Sequence, residues 1–418
     1  MARMLVLLSS LFFTAISSRL IFQHYGPATF AVVSIFATLQ LMIPFADLGL
    51  GAVVMNRVAR LVDEPGRSGL RILVQRVLKA QLAVALIGTL CVAIVTLSGL
   101  TGVALHSNGK ILPAAMGALA ILLIFMNVPV SIGNRLLIGA GKTHRSVLCS
   151  VFGPPLVFLM TTCATNLHVD GSVLYAAWPL SSLLVQTYVF RAGFQVVKLP
   201  IGHTLAGIYR VKVRDKLDPI FSTSASMLAI SVASPISYNS ARVVLGIFAP
   251  ATSLATYSVG AQAFSPLLSL INTAATPLWP VFSRQPSNSK LLISYTKKFA
   301  ALGLIAALIV LTLGPVYGWF ITGDVKYVPW SVWIAFSVLL FVNSAAVPSM
   351  MRLNDGPDIR FQAYTAMLSC IANIPLAIVL SIHYGAIGPI AGSIVCLSLL
   401  QVLPMFVWQY RNRSSEKN

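Results

Sequence analysis

Long apolar stretches alternate with short polar segments along the whole chain. A helix that crosses a bilayer needs about 20 predominantly apolar residues. Twelve stretches approach that length, centred near residues 13, 38, 90, 124, 156, 182, 231, 265, 305, 340, 370 and 397. The pattern predicts an all-α, polytopic membrane protein with about 12 transmembrane helices. Composition agrees, since 57% of the 418 residues are hydrophobic and 9% are charged, against about 25% charged in a soluble domain.

The basic residues follow the loops rather than one surface. The formal net charge is +19, and 25 of the 29 Lys and Arg residues lie at the chain ends or after the second, fourth, sixth, eighth and tenth stretches. The alternate loops contain only Lys110 and Lys326. This is the positive-inside distribution, so we expect both termini to be cytoplasmic. The same alternation argues against nucleic-acid binding.

Two arginines, Arg19 and Arg242, lie inside the first and seventh apolar stretches. A charge at the centre of a bilayer costs about 2.5–3.5 kcal/mol on insertion scales. An offset of 223 residues aligns the two arginines, and it also aligns Gly26-Pro27-Ala28-Thr29 with Ala249-Pro250-Ala251-Thr252. The alignment indicates a repeat of two six-helix lobes. We assign residues 1–195 to the N-lobe, 196–218 to a basic cytoplasmic linker and 219–418 to the C-lobe.

The repeat suggests a role for the arginines. Each half has an even number of helices, so both halves enter the membrane from the same side, and such repeats place substrate sites at their interface. We therefore expect Arg19 and Arg242 to line a central cationic cavity. The alternative is that both side chains extend to the outer membrane surface, since Gln23 and His24 lie about one turn from Arg19.

Two stretches resemble a known family. "YGPATFAVVSIFATLQLMIPFADLGLGAVVMNRVAR" and "ARVVLGIFAPATSLATYSVGAQAFSPLLSLINTAATPLWPVFSR" resemble the Wzx-type polysaccharide biosynthesis flippases of the multidrug/oligosaccharidyl-lipid/polysaccharide exporter (MOP) superfamily. The resemblance rests on Tyr25-Gly26, the run from Asp47 to Gly51, and Arg57. It implies two six-helix lobes with the MATE-like fold. It also implies movement of an undecaprenyl-diphosphate-linked sugar repeat unit from the inner to the outer leaflet of the bacterial inner membrane, for O-antigen, exopolysaccharide or capsule synthesis.

One departure from the family concerns the seventh stretch. Relatives often carry an acidic residue beside the arginine, where this chain has Ala241, and this puts ion coupling at that position in doubt. Asp47 is essentially the one carboxylate inside the apolar stretches. We interpret it as a structural residue at a helix end, paired with Arg57 or Arg60. His24 belongs to an outer "HYG" turn and is interpreted as a turn residue, with gating of the outer mouth as the alternative.

Other function classes need residues that the chain supplies poorly. A MATE-type cation exporter needs buried carboxylates, and a polymerase or glycosyltransferase acting on lipid-linked sugars needs catalytic carboxylates on sizeable outer loops. The five cysteines are dispersed in apolar stretches, so neither a metal site nor a cofactor is expected. The expected partners are the lipid-linked oligosaccharide and membrane lipids. We expect a monomer, and assembly with an O-antigen polymerase or chain-length protein is left open.

Overall fold

A computed structural model describes most of the chain. The described residues are 2–40, 51, 54–55, 57–58, 67–97, 111–210, 221–275, 277–278, 281–282, 289–354 and 358–415. They are almost entirely helical and contain no strand. The chain divides into two compact units, Met1–Leu217 and Asp218–Asn418.

The described part of the N-terminal unit consists mainly of helices. They are α1 (Ala2–Gln40), α2 (Arg67–Leu97), α3 (Ile111–Val130), α4 (Ile132–Gly139), α5 (Thr143–Ser150), α6 (Gly153–Asn166), α7 (Ala177–Val196) and α8 (Ile201–Ala206). Short 3-10 turns at Gly171–Ala176 and Ile208–Arg210 complete the described part. Because α3 continues into α4 and α5 into α6, each pair forms one membrane-crossing stretch.

The first helix contains two of the predicted stretches, separated by a break. Gly26 has φ 82° and ψ 172°, a conformation that glycine adopts without strain, and Pro27 follows it. The rings of Phe22 and Phe30, on either side of the break, lie 5.7 Å apart. Eight residues of straight helix would rise about 12 Å. The chain therefore bends sharply at the Gly26-Pro27 turn that the sequence repeat singled out.

The C-terminal unit repeats the arrangement. Its helices are α9 (Phe221–Phe248), α10 (Ala251–Ala275), α11 (Ser289–Thr322), α12 (Trp330–Leu353), α13 (Asp358–Tyr384), α14 (Gly388–Cys396) and α15 (Leu403–Ser415). A 3-10 turn at Gly385–Ile387 separates α13 from α14, and a π-helical segment at Leu397–Val402 joins α14 to α15.

The predicted fold class is confirmed. Within the described residues, nine helical stretches are long and apolar enough to cross a membrane. The first of them is broken at Gly26 and the last, Asp358–Gln409, is interrupted at Gly385. With α9 included, the centres of all twelve predicted apolar stretches lie in described helical segments.

Within the N-terminal unit, α4 and α7 approach each other through glycines. A Cβ atom added to Gly193 would lie 2.6 Å from the carbonyl oxygen of Gly133, and one added to Gly133 would lie 2.6 Å from the backbone nitrogen of Phe190. Small residues allow helix backbones to pack closely where no hydrophobic effect drives association. Close by in sequence, Asn127 of α3 donates to the carbonyl of Pro179 at 3.3 Å and accepts from Ser182 at 3.2 Å.

The segment after α7 is folded against the N-terminal unit as far as the structure describes it. Leu199 and Ile208 are buried in a cluster with residues of α2, α4 and α7. Arg71 donates to the carbonyl of His203 at 2.8 Å and Gln75 donates to that of Thr204 at 3.1 Å. Residues 196–210, which we assigned to the basic linker, therefore pack on α2.

Within the C-terminal unit, a buried polar junction joins α9, α13 and α14. Asn373 is 1% exposed, and its Nδ2 atom donates to the carbonyl of Ser237 at 3.1 Å and to its hydroxyl at 2.9 Å. The same amide lies 3.3 Å from Ser393 Oγ. Satisfied polar groups of this kind stabilise contacts between membrane helices. They position α9, the helix that carries Arg242.

Candidate functional site

Arg19 lies on the exposed side of α1, seven residues before the break. Its Nε atom donates to Oε1 of Gln23 at 3.4 Å, one helical turn further along. The two preceding residues, Ser17 and Ser18, are buried, whereas Arg19 is exposed, and this orientation directs Arg19 away from the interior of the N-terminal unit. The guanidinium therefore presents its charge at the surface of that unit.

Arg242 has a different environment in the C-terminal unit. It is half-buried on α9, where its neighbours Ala241 and Leu245 are 3% and 0% exposed. Its Cζ atom lies 6.0 Å from the centroid of the Tyr257 ring on α10, the outer limit for a cation–π contact. The Tyr257 ring in turn packs on Phe336 of α12, with centroids 5.4 Å apart. An aromatic wall thus supports the guanidinium inside an apolar helix bundle.

The internal repeat does not conserve the groups around the two arginines. With the offset of 223, Gln23 corresponds to Gly246, and Tyr257 corresponds to Ser34. Arg19 thus has an amide of its own helix as a partner, whereas Arg242 lies near an aromatic ring of the next helix. Both are arginines placed within apolar helices, but only Arg242 is half-buried.

The other predicted site residues have separate surroundings. His24 is exposed, and its Nδ1 atom lies 3.2 Å from the carbonyl of Leu20 in its own helix. Arg57 is exposed, and its side chain lies near Gly69 of α2. A Cβ atom added to that glycine would be 3.9 Å from the Nη2 atom of Arg57. Asp47 and its expected pairing with Arg57 or Arg60 lie outside the described residues. His24 therefore contacts the backbone of its own helix, two residues before the break at Gly26.

Acidic side chains of the described part lie at turns and helix ends. Asp170 accepts from the backbone of Ser172 at 2.8 Å, Asp324 accepts from that of Lys326 at 2.9 Å, and Asp358 accepts from the Trp408 indole at 3.1 Å. Across the same residues, no three His, Cys, Asp or Glu side chains are grouped as metal ligands.

Comparison with known proteins decides the family. The model of a family described as "Polysaccharide biosynthesis protein" matches residues 4–285, about two thirds of the chain. The chain belongs to this family. Among curated proteins, none matches the sequence significantly.

Solved structures show which fold this polysaccharide biosynthesis protein has. An inward-facing multidrug resistance MATE family transporter of the MOP superfamily is 16% identical, with a TM-score of 0.66 over 100% of this chain and 98% of that one. The lipid II flippase MurJ, in an inward closed conformation, is 14% identical, with a TM-score of 0.68 over 97% and 86%. An outward-facing multidrug resistance MATE family transporter of the MOP superfamily is 15% identical, with a TM-score of 0.58 over 100% of this chain and 96% of that one. The resemblance stated from the sequence is confirmed for the family and for the MOP fold.

Tyr257, beside Arg242, is a residue of this polysaccharide biosynthesis protein that sequence reasoning did not select. It lies in "ATSLATYSVG", where an aromatic residue in an apolar stretch has no distinguishing signal. Its contact with Arg242 depends on how α9 and α10 pack, and the repeat hides it because Ser34 occupies the matching position.

Proposed function

We propose that this protein is a flippase that moves an undecaprenyl-diphosphate-linked oligosaccharide repeat unit from the inner to the outer leaflet of the bacterial cytoplasmic membrane, by alternating access. The product would serve O-antigen, exopolysaccharide or capsule synthesis. The observation that carries the proposal is Arg242, a half-buried guanidinium held over Tyr257 inside a membrane helix of a polysaccharide biosynthesis family member.

The chemistry of a diphosphate explains why such an arginine would be retained. An isolated ion buried in hydrocarbon costs tens of kcal/mol by Born estimates, so a diphosphate headgroup needs counter-charge along its route. Arginine stays protonated, and its planar fork binds phosphate oxygens in pairs. We propose that Arg242 and Arg19 both bind the diphosphate. An exporter of organic cations would need buried carboxylates. The acidic side chains of the described residues lie instead at turns and helix ends.

Deleting the gene tests the substrate class. We expect lipid-linked repeat units to accumulate in the inner leaflet and the surface glycan to disappear. The lipid-linked sugars can be quantified by mass spectrometry, and their leaflet assigned by oxidation with membrane-impermeant periodate in spheroplasts. A plasmid copy of the gene should restore the glycan. Normal surface glycan, combined with altered resistance to cationic dyes, would support a cation exporter instead.

Orientation in the membrane is a second test. The distribution of basic residues predicts twelve spans with both ends in the cytoplasm. Alkaline phosphatase, which is active only outside the cytoplasm, should be active when fused after Asn166 or His383. It should be inactive when fused after Lys212 or Arg411. An active fusion at Lys212 would reverse the proposed orientation.

A further inference from the structure

Helix α10 carries a polar face on the outside of the C-terminal unit. Ser265, Ser269, Asn272 and Thr273 are all exposed and lie within about 100° of one another at the 3.6-residue period of a helix. Together with Leu268 they line a shallow cavity of about 370 Å³. The face extends about 12 Å along the helix, at a rise of about 1.5 Å per residue.

This face does not suit contact with lipid. The same helix exposes an apolar face elsewhere, where Leu270 is 42% exposed and Ala274 is exposed beside it. Ser265 donates to the carbonyl of Ala261 at 2.6 Å, so its own proton is satisfied within the helix. A side-chain amide has two donors and an acceptor, which hydrocarbon does not solvate. Ser269, Asn272 and Thr273 together expose hydroxyl and amide groups along this surface, and such a surface favours contact with a polar medium or ligand.

A second amide continues the face toward the beginning of α10. Gln262 lies one turn before Ser265, and its Oε1 atom accepts a hydrogen bond from the Tyr317 hydroxyl of α11 at 3.1 Å. This bond fixes the orientation of the amide from a neighbouring helix. Gln262 is thereby positioned by the fold rather than left as a mobile surface side chain.

The polar face belongs to one half of the repeat only. The offset of 223 residues matches Gln262, Ser265, Ser269, Asn272 and Thr273 with Leu39, Met42, Ala46, Gly49 and Leu50. All five matching residues are apolar. The polar face is therefore not inherited from the repeated helix pattern, whereas the arginines occur in both halves.

We propose that this face of α10 binds the sugar portion of the lipid-linked substrate. Hydroxyl and amide groups without net charge complement the hydroxyl and acetamido groups of a saccharide, whereas the diphosphate requires the arginines. The inference rests on the proposed flippase function and assigns the two parts of the substrate to different residues. The charged linkage is bound by arginines from both halves, and the glycan is bound by the C-terminal half.

The test compares two ligands on the full-length protein in lipid nanodiscs. One is undecaprenyl diphosphate, and the other is the lipid-linked saccharide purified from cells. Asn272→Leu and Ser269→Leu are compared with Ala274→Leu, which adds a leucine on the apolar face of the same helix. We expect Asn272→Leu to weaken binding of the saccharide-bearing lipid about tenfold, the effect of one or two hydrogen bonds. Binding of undecaprenyl diphosphate, and both affinities of Ala274→Leu, should be unchanged.

The outcomes separate this inference from the function on which it rests. If Asn272→Leu and Ser269→Leu both keep the wild-type ratio of the two affinities, the polar face does not bind sugar and the inference is wrong. If the wild-type protein binds neither lipid, the proposed function fails, and this inference fails with it. Asn272→Ala, which introduces no bulk, serves as the second variant, and thermal unfolding of each protein establishes that the variants are folded.

Discussion

Replacing Arg242 with alanine is expected to reduce substrate affinity about ten- to hundredfold and to lower glycan export accordingly. A hydrogen bond to a charged group contributes about 1.5–3 kcal/mol, which corresponds to that range. Arg19→Ala should have an effect in the same direction. Lysine at either position should restore part of the function, because it keeps the charge but lacks the paired donors of the guanidinium. Glutamate should be worse than alanine, because it repels the diphosphate.

Export by these variants is measured as surface glycan in the deletion strain, at matched protein levels. Arg360→Ala is a suitable control, because Arg360 is an exposed arginine at the beginning of α13. Protein levels matter especially for Arg242, whose contact with Tyr257 also contributes to packing. Normal export by both Arg19→Ala and Arg242→Ala would show that neither arginine binds the substrate, and would favour the view that the side chains extend to the membrane surface.

Enlarging Gly193 is expected to have the largest effect on folding. The added Cβ would lie 2.6 Å from the carbonyl oxygen of Gly133, so two helix backbones must separate to make room. Overpacking usually costs about 1–3 kcal/mol, and here the clashing atoms belong to the backbone rather than to a flexible side chain. Gly193→Ala should lower the melting temperature in detergent, and Gly193→Leu should prevent accumulation of folded protein.

Gly202 provides the matched control, because a Cβ atom added there has no atom of another described element within 4 Å. Alanine is favoured over glycine within a helix, so Gly202→Ala should leave the melting temperature unchanged or raise it slightly. Scanning fluorimetry of the purified proteins measures both. Equal melting temperatures for Gly193→Ala and the wild-type protein would mean that α4 and α7 are not closely packed at this point.

The helices were predictable because membrane insertion imposes a length and a composition that any sequence must satisfy. The turn at Gly26 was predictable for a different reason, because a Gly-Pro pair is a strong local signal for a turn. The packing of residues 196–210 was not predicted. Lys198 and Arg210, together with the basic residues that follow them, gave the segment the character of a linker. Its buried positions, such as Leu199 and Ile208, are too few and too widely spaced to form a periodic pattern.

The candidate site was predictable in its charges but not in its contacts. A cation inside an apolar stretch is conspicuous, so Arg19 and Arg242 could be selected from the sequence. Their surroundings depend on which helices are neighbours and on how each is rotated. Gln23 was accessible to a helical-spacing argument, because it lies four residues from Arg19. Tyr257 and the polar face of α10 became apparent only when the exposed and buried sides of that helix were distinguished.

The junction at Asn373 has a mechanical consequence. Asn373 is bonded to the main chain of Ser237 as well as to its hydroxyl, and Ser393 is within reach of the same amide. Sliding α9 along α13 would break these bonds in a medium where water does not replace them. These bonds therefore favour movement of the three helices together. Arg242 lies five residues beyond Ser237 on α9, so a displacement of this arginine along the helix would be transmitted to α13 and α14.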